Sequence, residues 1–133
     1  MFVGSPYCLS LSCSIALVSS QDPSISVMFK QGWQNLSLFD YSASGIERQR
    51  ELLWDCGGVD LRVADARDLG DCYEDDSFDA IFEKGAMDAI FLGGEGCAEV
   101  AAAEFERVLR PGGTFISASG VVPPDVREVR KPK

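Results

Sequence analysis

The sequence predicts an α/β domain in which a mainly parallel sheet is flanked by helices. Short apolar segments, typical of buried strands, alternate along the chain with segments that have helical spacing and helix-capping residues. The resulting order is β-α-β-α-β-β-α-α-β, and strands that alternate with helices favour parallel pairing. Right-handed crossovers would then bring the carboxyl ends of the strands to one edge of the sheet.

The first strand is the short apolar run of residues 14–18. Asp22 and Pro23 then indicate the start of a helix, because Asp accepts hydrogen bonds at an N-cap and Pro suits the first helical position. We predict this helix over residues 23–31 and a second strand over residues 33–39.

The second helix begins with a capping-box pattern. Ser44 and Glu47 have the spacing of an N-cap and its third helical residue, so we predict a helix that starts at Ser44 and continues to about residue 55. Residues 59–64 alternate apolar and charged side chains. This alternation predicts a strand with one wet face, near an edge of the sheet.

The fourth strand is predicted at the apolar run of residues 78–82. It ends in Glu83, Lys84 and Gly85, which suit a sharp exit from the sheet. A short helix over about residues 86–92 follows.

An Ala-rich helix over residues 97–109, a tight turn at 110–113 and a last strand at 114–118 complete the predicted domain. Residues beyond 120 contain prolines and charges, and we expect them to be extended. The chain is therefore divided into an irregular segment, a domain and an extended basic tail: residues 1–13, 14–120 and 121–133.

Length and charge limit the possible functions. The chain has 133 residues, which suits one domain. Its formal net charge of −9 disfavours nucleic acid as a partner, because phosphate binding needs a basic face. Histidine is absent, and the five cysteines form no CxxC pair. We therefore expect reduced thiols and no metal site.

The sequence also bears on location. It contains no run of 18 apolar residues, so we predict no membrane-spanning helix and no membrane partner. The first residues lack the basic start of a secretory signal and the arginines of a mitochondrial presequence. We therefore expect a cytoplasmic protein, and a mitochondrial location stays open.

Acidic residues follow three of the predicted strands: Asp40, Asp65 and Glu83. Ligands of open α/β sheets bind in the crevice outside the carboxyl ends of the strands. An acidic residue after the second strand can accept hydrogen bonds from ribose hydroxyls, and one after the third could accept from an adenine amino group. Each residue alone fits a solvated loop, whereas the three together indicate a ligand of the nucleoside type.

Four segments resemble, in their order along the chain, the successive motifs of class I S-adenosylmethionine-dependent methyltransferases. They are residues 40–42 (DYS), 63–67 (VADAR), 78–89 (FDAIFEKGAMDA) and 108–115 (VLRPGGTF). The EKGAMDA pattern at residues 83–89 is narrower and resembles methyltransferase-like proteins that include the elongation-factor and citrate synthase lysine methyltransferases. Residues 124–127 (PDVR) also resemble a segment of the citrate synthase enzyme.

The resemblance implies a Rossmann-like class I methyltransferase core with S-adenosylmethionine as cofactor. By similarity, Asp40 would bind the ribose hydroxyls, and Tyr41 would lie beside the adenine. Asp65 and Ala66 would hold the adenine ring, Asp65 through the amino group of the base.

The same resemblance gives Glu83 and Lys84 catalytic positions near the methionine part of the cofactor and the transferred methyl group, and Lys84 also belongs to the cofactor-binding set. The implied methyl acceptor is a lysine side chain of a protein substrate. Methyl transfer from a sulfonium depends mostly on in-line positioning, so the absence of histidine is compatible with it.

Two features depart from the pattern of the family. A glycine-rich loop should follow the first strand so that backbone can approach the cofactor closely, but Ser19 and Gln21 stand where glycines belong. The chain also stops after its fifth predicted strand, so the closing C-terminal strands of the family are lacking. We therefore expect a truncated core, and a splice variant, a gene-model fragment and a degenerate homologue stay open as explanations.

Three functions are considered for this sequence. The first is a protein-lysine N-methyltransferase, although the altered loop calls turnover by this chain into question. The second is a non-catalytic binding or regulatory module that keeps the methyltransferase fold. The third, a nucleotide-dependent oxidoreductase, is disfavoured because the sequence has no GxGxxG motif.

Overall fold

The structure is a computed structural model that describes residues 13–18, 23–118 and 120. Within these residues the chain forms five strands and four helices. In chain order they are β1 (Ser14–Val18), α1 (Ser24–Lys30), β2 (Asn35–Asp40), α2 (Ala43–Leu52), β3 (Asp60–Val63), β4 (Phe78–Lys84), α3 (Ala86–Leu92), α4 (Cys97–Val108) and β5 (Leu109–Ala118).

The five strands form one sheet in the order β3-β2-β1-β4-β5, and every pairing between them is parallel. The predicted parallel α/β sheet with flanking helices is therefore confirmed. From β1, the strands β2 and β3 are added on one side of the sheet, and β4 and β5 are added on the other side. The order reverses between β1 and β4, and open α/β sheets bind their ligands at such a switch point.

Each face of the sheet buries its own apolar cluster. Successive side chains of a strand point to opposite faces of the sheet. In β2, Leu36 and Leu38 accordingly belong to one cluster and Phe39 to the other. The first cluster includes Ile15, Ile25, Leu36, Leu38 and Ile46. The second cluster includes Phe39, Ile81, Met87, Phe105 and Val108. Helices α1 and α2 therefore cover one face, and α3 and α4 cover the other.

The predicted cap of α2 is wrong by two residues. Ser42, rather than Ser44, is the N-cap, and its Oγ accepts a hydrogen bond of 3.1 Å from the Gly45 backbone N–H. Ser42 is fixed there because its own N–H donates to Asp40 Oδ1 at 2.8 Å. The helix ends at Leu52, earlier than predicted.

The edge position predicted for the third strand is confirmed, since β3 pairs only with β2 at one end of the sheet. The strand is shorter than predicted, however, and Val63 is 51% exposed instead of facing the core. An edge strand of four residues has too little sheet around it to bury both ends.

The predicted turn at residues 110–113 lies inside β5. Leu109 pairs with Phe78, whereas Thr114 pairs with Ala80, so the segment between them bulges out of the ladder. Gly112 has a φ of +76°, which the bulge needs and glycine adopts without strain.

Several sequence-based predictions lie outside the described residues. They concern the irregular start, the loop with Ser19 and Gln21, the side chain of Asp22, and the basic tail at 121–133. Pro23, expected at the first helical position, is instead the N-cap of α1. Among the residues that the structure does describe, no helix has the length and apolarity needed to cross a membrane.

Candidate functional site

A cavity of about 590 Å³ opens at the carboxyl ends of β1, β2 and β4 and beside the segment after β3. Helix α3 and the start of α4 complete its wall. Five of the predicted site residues line this one cavity: Asp40, Tyr41, Asp65, Ala66 and Lys84. Their individual roles stay predictions, but the sheet brings them together as the strand-end argument requires.

At the end of β2, the chain turns sharply into α2. The turn is held by Asp40, whose Oδ1 accepts the Ser42 N–H at 2.8 Å and whose carbonyl accepts the Ala64 N–H at 2.9 Å. Tyr41 follows with 76% of its surface exposed. The Asp40 carboxylate and the Tyr41 ring are thus placed at the rim of the cavity.

After β3, Asp65 is held by Arg67. Its Oδ1 accepts the backbone N–H of Arg67 at 2.9 Å and the Nε–H at 3.0 Å, and its Oδ2 accepts Nη2–H at 2.7 Å. These charge-assisted bonds hold the pKa of Asp65 below its ordinary value and raise the pKa of Arg67. Asp65 is therefore a fixed anion at neutral pH.

At the end of β4, Lys84 is exposed and lines the cavity. The next residue, Gly85, has a φ of +78° and donates its N–H to the Ala118 carbonyl at 3.1 Å. This left-handed conformation lets the chain leave the sheet and start α3 at once. The wall beside Lys84 is then built from the small and apolar side chains of Ala86, Ala89 and Ile90.

Glu83 does not line the cavity. Its side chain is fully buried, where Oε2 accepts the Met87 N–H at 3.1 Å and Oε1 accepts the hydroxyl of Ser117. The carboxyl group thus joins the end of β4 to the start of α3 and to β5. Its catalytic role stays a prediction, but the structure separates it from Lys84, with which the sequence grouped it.

The segment that carries Asp65 is also tied to α4. Glu104 Oε2 accepts the Leu69 N–H at 2.6 Å, and Arg107 donates to the Tyr73 carbonyl at 3.0 Å and to Asp75 at 2.9 Å. Hydrogen bonds from Arg107 hold the pKa of Glu104 below its ordinary value. The loop between β3 and β4 is therefore braced close to the cavity wall.

Of the lining residues with polar side chains, the sequence reasoning missed two, Arg67 and Cys97. Arg67 has a signal in the sequence, since it stands two residues after Asp65 and can fold back onto it. Cys97 has none, because it reaches the cavity only through the packing of α4, where its Sγ lies 3.7 Å from Arg67 Nη1.

The sheet defines a Rossmann-like domain with a cavity at its switch point. Residues 22–117 match the model of a protein family described as the methyltransferase domain. The chain therefore belongs to the class I S-adenosylmethionine-dependent methyltransferases. This membership speaks against the oxidoreductase alternative.

Solved structures support the same fold. The YcgJ protein of Bacillus subtilis superimposes with a TM-score of 0.69 at 19% identity, over 84% of this chain and 45% of that one. The PH0226 protein of Pyrococcus horikoshii OT3 gives 0.67 at 24% identity, over 80% and 48%. The trans-methyltransferase CalH, solved in complex with SAH, gives 0.66 at 12% identity, over 80% and 32%.

The chain thus spans less than half the length of each of these three proteins. No curated protein sequence matches it significantly.

Proposed function

We propose that the cavity binds S-adenosylmethionine and that the chain is a methyltransferase domain acting on a lysine side chain of a protein. The observation that carries the proposal is the presence of Asp40, Asp65 and Lys84 in the lining of one cavity. Two anions and one cation in that arrangement complement the ribose hydroxyls, the adenine amino group and the methionine carboxylate.

The residues present fit this cofactor. A volume of about 590 Å³ lies within the range of roughly 300–1,000 Å³ typical of cofactor sites. Phe39, Ala64 and Ala66 supply apolar lining next to Asp40 and Asp65 in the chain, as a purine ring requires. When bound, S-adenosylmethionine supplies an electrophilic methyl group.

The residues of this chain would act mainly by positioning. Asp40 and Asp65 are already held by backbone and side-chain donors, so little ordering would be needed on binding. A lysine acceptor must be neutral to react, and a wall that includes Ala86, Ala89 and Ile90 favours the neutral amine because burial disfavours an ammonium ion.

The choice of lysine as acceptor rests on two observations. The EKGAMDA pattern at residues 83–89 resembles that of lysine methyltransferases of the elongation-factor and citrate synthase type. The net charge of −9 also favours a basic protein surface as substrate, because opposite charge steers association.

Calorimetric titration with S-adenosylmethionine and S-adenosylhomocysteine tests the cofactor part. We expect Asp40→Ala to weaken binding about 10- to 100-fold, since it removes a charged hydrogen-bond acceptor. Glu51→Ala removes the same charge from an exposed position on α2 and should leave affinity unchanged. An absence of binding by the wild-type chain would refute the proposal.

Transfer of a tritiated methyl group from the cofactor tests the acceptor. We expect the label to be incorporated into the proteins of a cell extract, and not into the same extract after chemical blocking of its lysine amines. Label that survives the blocking would contradict lysine as the acceptor.

A second candidate is a module that binds the cofactor without turnover. It is favoured by Ser19 and Gln21, which stand where the resemblance expects glycines. Binding without methyl transfer would support it, and a gain of transfer in a Ser19→Gly, Gln21→Gly double variant would identify the loop as the cause.

A further inference from the structure

Arg67 occupies most of the hydrogen-bonding capacity of the Asp65 carboxylate. An ionised carboxylate offers about four acceptor positions. Arg67 donates three hydrogens to the Asp65 carboxylate: its backbone N–H at 2.9 Å, its Nη2–H at 2.7 Å, and its Nε–H, which is shared between Oδ1 at 3.0 Å and Oδ2 at 3.2 Å. The carboxylate is thus left with room for about one further donor.

Arg67 also contacts the start of α4. Its Nη1 lies 3.7 Å from Cys97 Sγ at the start of α4, and both residues line the cavity together with Asp65. The guanidinium therefore connects the loop after β3 to α4. Its planar fork fixes the plane of the Asp65 carboxylate, which a single contact would leave free to rotate.

We propose that Arg67 is a positioning residue that aims the last acceptor position of Asp65 at the amino group of the ligand's base, and so sets the preference of the cavity for adenine. This inference rests on the proposed function. Arg67 acts through Asp65, and the two side chains remain partly exposed, at 46% and 32%, so that a ligand can reach the carboxylate.

Selectivity follows from the fixed geometry. A site built to accept a hydrogen bond rejects an analogue without the donor, because the fixed acceptor is then left unpaired. Without the side chain of Arg67, the Asp65 carboxylate would accept only the backbone N–H of residue 67 and could turn toward water. The amino group of the base would then contribute little to affinity.

The test compares S-adenosylhomocysteine with its 6-deamino purine analogue, in which hydrogen replaces the amino group. By calorimetry, the wild-type chain should prefer S-adenosylhomocysteine about 10- to 100-fold, the value of one hydrogen bond to a charged group. Arg67→Ala should reduce this preference to about threefold or less. It should do so by weakening the adenine compound while leaving the analogue nearly unchanged.

Two variants separate positioning from general damage. Arg67→Lys keeps the charge but loses the fork, so the preference should fall here too even if the fold is undisturbed. Arg50→Ala removes an exposed arginine that pairs with Glu47 at 3.6 Å on α2, and the preference should stay at the wild-type value.

A double-mutant cycle tests whether Arg67 acts through Asp65. In an Asp65→Ala background, a further Arg67→Ala change should leave both affinities unaltered. An equal loss in both backgrounds, or an unchanged preference in Arg67→Ala, would overturn the inference alone. Failure of the wild-type chain to bind S-adenosylhomocysteine would overturn the proposed function and this inference together.

Discussion

Asp65 and Glu83 both lie at the carboxyl ends of parallel strands, and they differ in almost every physical respect. Asp65 has a side chain that is 32% exposed, is paired with Arg67 and lines the cavity. Glu83 is fully buried and accepts hydrogen bonds from the Met87 N–H and the Ser117 hydroxyl. Asp65 lines the cavity, and Glu83 joins three elements of the fold.

The difference comes from where each strand ends. Glu83 still belongs to the sheet, where it pairs with Val18 and Ser117, so the pleat directs its side chain to the same face as Ile81. Asp65 lies two residues beyond the end of β3, in a turn that follows no pleat. Asp65 can therefore face the cavity, whereas the sheet holds Glu83 in the core.

Removal of the Glu83 side chain should produce the largest loss of stability. Glu83→Ala removes the partner of the buried Met87 N–H and of the half-buried Ser117 hydroxyl and opens a cavity. We expect the free energy of unfolding to fall by about 3 kcal/mol in urea titrations followed by tryptophan fluorescence. Glu83→Gln can still accept from Met87 and donate to Ser117, and should cost about 1 kcal/mol. Equal losses in the two variants would contradict this account.

Ligand binding should show the opposite dependence on the two residues. Asp65→Ala should weaken binding of S-adenosylhomocysteine about 10- to 100-fold with little loss of stability, whereas Glu83→Gln should leave affinity within about threefold. Calorimetry measures both. A Glu83→Gln variant that binds normally but loses kcat at unchanged KM would contradict a purely structural role for Glu83, because it would show that the carboxylate takes part in methyl transfer.

The sequence was sufficient to predict the order of strands and helices and the edge of the sheet at which the cavity lies. Apolar runs and helical spacing are local signals, and parallel strands necessarily bring Asp40, Asp65 and Lys84 to one edge. The sequence could not decide between two residues that suit the same position. Both Ser42 and Ser44 can cap α2, and the hydrogen bond from the Ser42 N–H to Asp40 decides between them.

Two further details depend on packing that no local pattern contains. The apolar run ends at residue 82, but pairing with β5 extends β4 to Lys84 and thereby turns Glu83 inward. Cys97 stands 30 positions after Arg67 in the chain, and only the packing of α4 brings its Sγ to 3.7 Å from Arg67 Nη1.

Gly85 lies between the buried Glu83 and the start of α3, and its replacement tests the backbone conformation at this strand end. Gly85→Ala should lower stability by about 1–2 kcal/mol, because its φ of +78° is strained for a residue with a Cβ although nothing crowds that position. Gly57→Ala is the matched control, since its surroundings are equally open and its φ is not positive, and it should be nearly neutral. Urea titration checks both, and equal losses would contradict the role of φ.

The pH dependence of stability should show the smallest effect, at Asp65. Its folded-state pKa is lowered, first by the side-chain hydrogen bonds from Arg67, so ionised Asp65 favours the folded state. This contribution is fully present above the ordinary pKa of about 3.9 and is lost as the pH falls through the lowered value. Because the pair is partly exposed, Asp65→Asn should cost only about 0.5 kcal/mol near pH 7. Urea titrations from about pH 7 down to about pH 3 should show the two proteins converge in acid, and a difference that grows in acid would show that Arg67 does not stabilise the ionised form.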